Sequence, residues 1–280
     1  MRATRRLRNS RRIVPQREKR ISPQIMPNQE NAGEPVVVTD EGPIRIVRMN
    51  RPEKKNALTM AMYDAMSAAI EDAGRDPALR CLVIAGHPTA FCAGNDLADF
   101  LNAANTGGAF GPPIMRFLYA LARCDVPLVA AVRGNAVGVG TTMLMHCDHV
   151  VAGTDARFAT PFVSLGLVPE AGSSLIAPRL MGHARAFSLL VMGRPLNADQ
   201  AKAAGLVNTV LPPDEVEAEA MTAAGDIARL PAQAVLAARR LLRGSRDDIV
   251  ARIDEEAELF RIRMRSPEAH AAFAAFISRR

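Results

Sequence analysis

The stretch from Pro127 to Asp148, PLVAAVRGNAVGVGTTMLMHCD, constrains this chain most. Leu128 to Val132 is a short apolar, β-branched run, the pattern of a buried strand. A turn with glycines at 134, 138 and 140 follows, and Thr141 to His146 then reads as a helix without charge until Asp148. Strand, glycine turn and apolar helix leave unpaired backbone N–H groups aimed into a cleft, where a partial positive charge suits an anion or a developing oxyanion. Glycine is needed where a ligand approaches the backbone itself. Alone, such a corner is common in any α/β protein.

A second stretch repeats the plan. Cys81 to Ala85 is another apolar run, followed by Gly86-His87-Pro88 and then FCAGNDLADF, Phe91 to Phe100. The latter reads as a helix start with Asp96 and Asp99 in its first turn. Two such starts predict one N–H each for a single oxygen, as a thioester enolate requires.

Other elements fall into the same order. Val36 to Thr39 and Ile44 to Met49 read as strands around the turn Asp40-Glu41-Gly42-Pro43. Thr59 caps a helix with Met62, Ala65, Met66, Ala69 and Ile70 on its apolar face and Gly74 at its end. The strand at Cys81 returns after it. Leu128 to Val132, the Thr141 helix and Val150-Val151 make a second unit. Arg157 to Thr160, the helix after Pro169 and Leu206 to Val210 make a third. This order predicts an α/β fold with parallel strands and right-handed crossovers. From Asp214 onward only helices are predicted: Glu215 to Ala228, Ala232 to Leu242, Asp247 to Met264 and about Pro267 to Ile277. In the third, Ile249, Ile253, Ala257, Phe260 and Met264 form one stripe with charges opposite. The expected organisation is a basic, disordered tail over 1–33, a core over 34–213 and a helical region over 214–280.

Charge is uneven. Residues 1–25 carry nine Arg or Lys against Glu18, a net +8, while the remainder is −2. The body therefore offers no basic surface for nucleic acid. The tail has no apolar core and is not a secretory signal. It reads as an organelle transit peptide, an RNA-binding arm or an over-extended start before Met26, the last being favoured, with a cytoplasmic protein expected. Cys81, Cys92, Cys124 and Cys147 lack any C-x-x-C spacing and are expected as reduced thiols. His146-Cys147-Asp148-His149 crosses from helix to strand, so alternate residues diverge and no metal site is expected. No apolar run reaches the ~18 residues of a membrane span.

From about Val36 to its end the chain resembles the crotonase superfamily, the enoyl-CoA hydratase and isomerase group. The matching pieces are NRPEKKNAL at 50–58, FCAGNDL at 91–97, PLVAAVRGNAVGVG at 127–140 and FATPFVSLGLVPEAGSS at 158–174. It is similar above all to the peroxisomal-type Δ3,Δ2-enoyl-CoA isomerases, through AGNDL, TPF-x-x-LG and PE-x-x-SS. The resemblance implies a right-handed spiral of β-β-α units with a carboxyl-terminal helical trimerisation region, giving a homotrimer or a dimer of trimers. It implies an acyl-CoA thioester as substrate, with coenzyme A part of that substrate and no separate cofactor. The thioester oxygen would be held by the amides of Asn95 and Val139, flanked by Gly94, Gly138 and Gly140. Valine departs from the middle glycine of the family's G-G-G turn, but only its N–H is used. Lys54 and Lys55 match positions near the CoA phosphates, with Asn56 and Ala57 close by. Main chain around Ala93, Asp96 and Leu97 would meet adenine and pantetheine. By the same resemblance, Phe273 and Phe276 would reach a neighbour's CoA site.

Hydratases of this superfamily use two glutamates, whose positions here hold Thr142 and Phe162. Losing both removes the groups that activate water and protonate C2. Glu170 remains. Read alone, it is an acid in the first turn of a helix, stabilised by the dipole. The resemblance instead makes it the single acid/base of an isomerase, its pKa raised by apolar neighbours such as Phe162 and Leu165. Other crotonase chemistry (hydration, hydrolysis or decarboxylation, with Asp96, Asp99 or Asp148 as the acid) is the alternative within the enzyme class. A non-catalytic CoA- or RNA-binding protein is the alternative outside it. The glycine-rich loop from Asn102 to Pro113 is expected to border the cleft as a flap.

Overall fold

The computed structural model describes residues 33–96 and 111–278. The basic tail before Gly33, Leu97, Asp99 and most of the expected flap lie outside the described residues, as does the side chain of Phe276. Pro112 and Pro113, expected in that flap, instead open a helix, where proline's missing N–H has no intrahelical role.

Two sheets organise the chain. The larger has six strands in the order β1-β2-β3-β4-β6-β9: β1 (Val36–Glu41), β2 (Ile44–Met49), β3 (Cys81–Ala85), β4 (Leu128–Val132), β6 (His149–Gly153) and β9 (Thr209–Leu211). β1 and β2 form an antiparallel hairpin, and every later pair is parallel. All five residues of β3 and of β4 are buried, because both faces of the sheet are covered. Leu82, Ile84, Leu128 and Ala130 face the main core. Val83, Ala85, Val129 and Ala131 face the opposite way, against Val216, Ala220 and Ala224 of a carboxyl-terminal helix.

The smaller sheet has the order β5-β7-β8, from β5 (Asn135–Val137), β7 (Arg157–Ala159) and β8 (Leu196–Asn197). β4 runs into β5 and β6 into β7, so successive turns of the chain place one strand in each sheet. That is the right-handed spiral. The third expected unit is corrected by it. β7 pairs with β5 rather than with β9, and β9 joins the large sheet beside β6. The turn after β6 redirects the chain: Ala156 N–H donates to Gly153 at 2.9 Å and the Asp155 carboxylate accepts Gly134 N–H at 3.1 Å.

Helix α1 (Met60–Arg75) begins where the Thr59 hydroxyl accepts the Met62 N–H. Its buried face is Met62, Tyr63, Met66, Ser67, Ala69, Ile70 and Ala73. Ala65, expected on that face, is exposed, since Tyr63 lies three residues before Met66 and turns the stripe toward α2 (Pro112–Arg123). Gly74 does not end the helix, which runs one residue further. Tyr63 and Phe117 meet edge to face at 5.3 Å.

Four helices close the chain: α7 (Val216–Ala228), α8 (Ala232–Arg243), α9 (Arg246–Met264) and α10 (Pro267–Ile277). α9 lays Ile249, Ile253, Ala257, Phe260 and Met264 into the core, as its stripe predicts, but Glu256 is buried among them. Phe273 of α10 is also buried in its own chain. The backbone of Ala269 passes so near Gly166 that a Cβ there would lie 2.8 Å from it. Among the described residues no helix is long and apolar enough to cross a membrane.

Candidate active site

One wall of the site is backbone. Residues 92–96 are held from both edges, while most of the helix expected after Gly94, with Asp96 and Asp99 in its first turn, lies outside the described residues. On one edge Ala93 N–H donates to Lys55 at 3.0 Å, Leu58 N–H to Gly94 at 2.8 Å and Asp96 N–H to Leu58 at 2.8 Å. On the other, Cys92 N–H donates to Asn135 at 3.0 Å and Val137 N–H to Cys92 at 2.9 Å. This brings Asn95 beside the glycine turn that ends at Val139. The approach is close enough to demand glycine. A Cβ on Gly140 would lie 2.7 Å from the Cys92 carbonyl oxygen, and one on Gly94 would lie 3.1 Å from that of Val137. Gly94 and Gly138 also hold positive φ, 93° and 56°.

The turn leads into α3 (Val139–Thr142), continued by a 3-10 segment, Met143–His146. Among the described residues, neither the Asn95 nor the Val139 N–H has a hydrogen-bond acceptor. The Asn95 side chain faces the other way, where its carbonyl accepts from the Tyr63 hydroxyl. The Asn95 and Val139 amides are the two that the resemblance implies as a donor pair.

The residues that the resemblance places near CoA gather on the outer edge of this wall. Lys54 and Lys55 are exposed. Asn56 is fully buried and clips the loop: its amide donates to Ala90 and Phe91 at 2.9 and 3.1 Å and its carbonyl accepts the Arg51 N–H at 2.8 Å. Its side chain thus serves the loop's shape. Ala57 and Ala93 are half-buried beside it, and Asp96 pairs with Arg51 at 2.7 Å. Asp148, the other candidate acid, pairs with Arg239 at 2.7 Å.

The other wall is made of side chains. Glu170 is 4% exposed and accepts a hydrogen bond from the Thr142 hydroxyl, one turn along α3 from Val139. Thr142, which the resemblance aligns with a hydratase acid, thus holds the acid that this chain does have. Glu170 is not in the first turn of a helix. The next helix, α4 (Ser173–Met181), starts three residues later, after Ala171 and Gly172 at φ 62° and 70°. A helix dipole does not account for it. Burial pushes its carboxyl up to about 8, opposed by Thr142 and reinforced by the charge of Glu256. Its charge reaches Tyr63 and Cys92, so it lies near the Asn95 side of the site as well. Phe162 is buried with its ring 4.0 Å from where a Gly138 Cβ would be, and Leu165 is half-buried.

The turn carrying Glu170 is gripped from two sides that the sequence reading did not identify. His146 Nε2 donates to the Ala171 carbonyl at 2.7 Å; burial holds this imidazole down to about 4, so it is neutral. Glu256 accepts the N–H groups of Gly172 and Ser174 at 2.6 and 2.9 Å. One signal was available for Glu256: an acid three residues after Ile253 and four before Phe260 sits on the apolar stripe.

A sequence model of the enoyl-CoA hydratase/isomerase family matches residues 39–280. Enoyl-CoA delta isomerase 2 of Rattus norvegicus is 36% identical over 260 residues, 90% of this chain and 65% of the relative. The chain thus spans a little under two thirds of that protein. The 2,3-dehydroadipyl-CoA hydratase of Escherichia coli (strain K12) is 32% identical over 248 residues, 88% of this chain and 96% of the relative. Among solved structures, an enoyl-CoA hydratase/isomerase from Pseudoalteromonas atlantica T6c superimposes with a TM-score of 0.83 at 38% identity, covering 88% of this chain and 98% of that one.

Proposed function

Because this chain belongs to the enoyl-CoA hydratase/isomerase family, and is thus a crotonase-type acyl-CoA enzyme, we propose that it moves the double bond of a 3-enoyl-CoA to the 2-position. One observation carries this reading: the buried carboxylate of Glu170, held by Thr142, shares the site with the Asn95 and Val139 amides, which have no acceptor among the described residues, and the resemblance aligns Thr142 and Phe162 with a hydratase's acids. The thioester oxygen accepts from the Asn95 and Val139 N–H groups. Glu170 takes the C2 proton, the negative charge of the dienolate collects on that oxygen, and Glu170 returns the proton to C4. Each amide contributes about 3–4 kcal/mol to the transition state. Hydration needs a group to activate water and a proton source for C2, and one engaged carboxylate supplies a single relay. Coenzyme A enters as part of the substrate, and no further cofactor takes part.

The assembly we propose is a homotrimer or a dimer of trimers. Leu241 and Leu242 of α8 are 85% and 88% exposed, and Leu259 and Ile262 of α9 are exposed too. Such residues are covered by another copy. Sedimentation should give three or six times the 30.1 kDa chain.

Glu170→Gln, assayed on 3-enoyl-CoA with binding followed in parallel, tests the chemistry. Binding should persist while turnover falls about 10³-fold or more. Retained turnover would remove Glu170 from the mechanism.

A further inference from the structure

We propose that Glu256 is a positioning residue for Glu170, acting through the two amides of the intervening turn. This rests on Glu170 being the acid/base. The geometry is specific. Glu256 reaches from α9 to a segment more than eighty residues earlier and places one oxygen on Gly172 N–H at 2.6 Å and the other on Ser174 N–H at 2.9 Å. It is 4% exposed. Those amides belong to the start of α4, where no intrahelical acceptor exists. The grip matters because Ala171, the residue next to Glu170, sits at φ 62°, a conformation an alanine avoids unless the surroundings impose it. A left-handed alanine followed by a left-handed glycine bends the chain so that Glu170 turns inward toward Thr142. His146 fixes the Ala171 carbonyl at the same bend. Arg252, on the same face of α9 as Glu256, donates to Ser174 Oγ at 3.1 Å.

Burying a second carboxylate near the reacting one also has an electrostatic effect. The groups that face Glu170 are Thr142 from α3, Tyr63 from α1, Cys92 from the extended segment and Glu256 from α9. Thr142 favours the ionised form, whereas Glu256 disfavours it. Glu256 therefore both aims Glu170 and keeps it a stronger base.

A structural prop would affect folding alone, so the test reads geometry and charge separately. In Glu256→Gln one amide loses its acceptor and the negative charge disappears. kcat on 3-enoyl-CoA should fall about tenfold or more with KM within about twofold. The acid limb of kcat/KM should move down by about half a pH unit or more. Glu256→Asp keeps the charge but is one methylene too short to hold both amides, so kcat should fall while the limb stays near that of the wild type. Glu170 is also titrated directly by ¹³C NMR of glutamate-labelled protein, its signal assigned with Glu170→Gln. Unchanged kcat together with an unmoved Glu170 titration in the folded Gln variant would overturn the proposal. If the Gln variant does not fold, unchanged kcat in Glu256→Asp would overturn it. A wild type that leaves 3-enoyl-CoA untouched would sink the isomerase reading instead. The clamp would still stand if the Glu170 titration moved down in Glu256→Gln.

Discussion

The two walls of this site are built by different means. The amide wall, Asn95 and Val139, is set by backbone: paired extended segments, glycines at 94, 138 and 140, and a clipped loop around Asn56. The acid wall, Glu170, is set by side chains: Thr142 on the carboxylate, with His146 and Glu256 on the turn behind it. A wall made of backbone tolerates a change of side chain so long as the strands keep their approach. A wall made of side chains depends on each one. Valine at 139 and threonine at 142, two of the three departures that the resemblance marks, illustrate the contrast. The first leaves the N–H in place, and the second puts a hydroxyl where the resemblance aligns a hydratase's acid.

The contrast is broken most severely by adding one carbon to the backbone wall. Gly140→Ala puts a methyl 2.7 Å from the Cys92 carbonyl oxygen and 2.8 Å from its Cβ. The segment carrying Asn95 must shift, and kcat should fall about a hundredfold with acyl-CoA still bound. Full activity would mean that the spacing of the two amides is not critical. On the acid wall, Thr142→Val removes the hydroxyl that favours ionised Glu170. The acid limb of kcat/KM, expected near pH 8 in the wild type, should then rise by about one unit, and activity at pH 7 should drop about tenfold. An unmoved limb would free Glu170 from Thr142.

Glu170 should also cost stability. Its folded-state pKa of about 8 lies above the ordinary 4.5, so the folded protein holds a proton that the unfolded chain releases. Stability from this group is therefore present below about pH 4.5 and lost as pH rises to about 8. Glu170→Gln should raise the melting temperature at pH 8 by a few degrees and change it little at pH 5. The smallest effect is expected from Val139→Ala: kcat/KM within about threefold of wild type, because only the N–H is used. A large loss there would show that the valine side chain, not only its amide, shapes the wall.

The two walls also differed in how legible they were. β3 and β4 could be read directly, since strands covered on both faces are continuously apolar. The glycine corner after β4 was equally plain. The small sheet was not, because strands of two or three residues carry no periodicity, and Arg157–Ala159 was assigned to the wrong neighbour. The pairing of 92–96 with 55–58 and 135–137 was not legible either, because nothing local announces it. Glu170 was legible as a residue but not as a geometry. Its supports come from Thr142, His146 and Glu256, and the last was overlooked by treating every charge on α9 as solvent-facing.

A side-by-side assay of the purified protein on 3-enoyl-CoA and on 2-enoyl-CoA in water tests the central claim most directly. The proposed role of Glu170, a single relay between C2 and C4, predicts rapid conversion of the 3-enoyl substrate and little hydration of the 2-enoyl one. Efficient hydration with no isomerisation would contradict it.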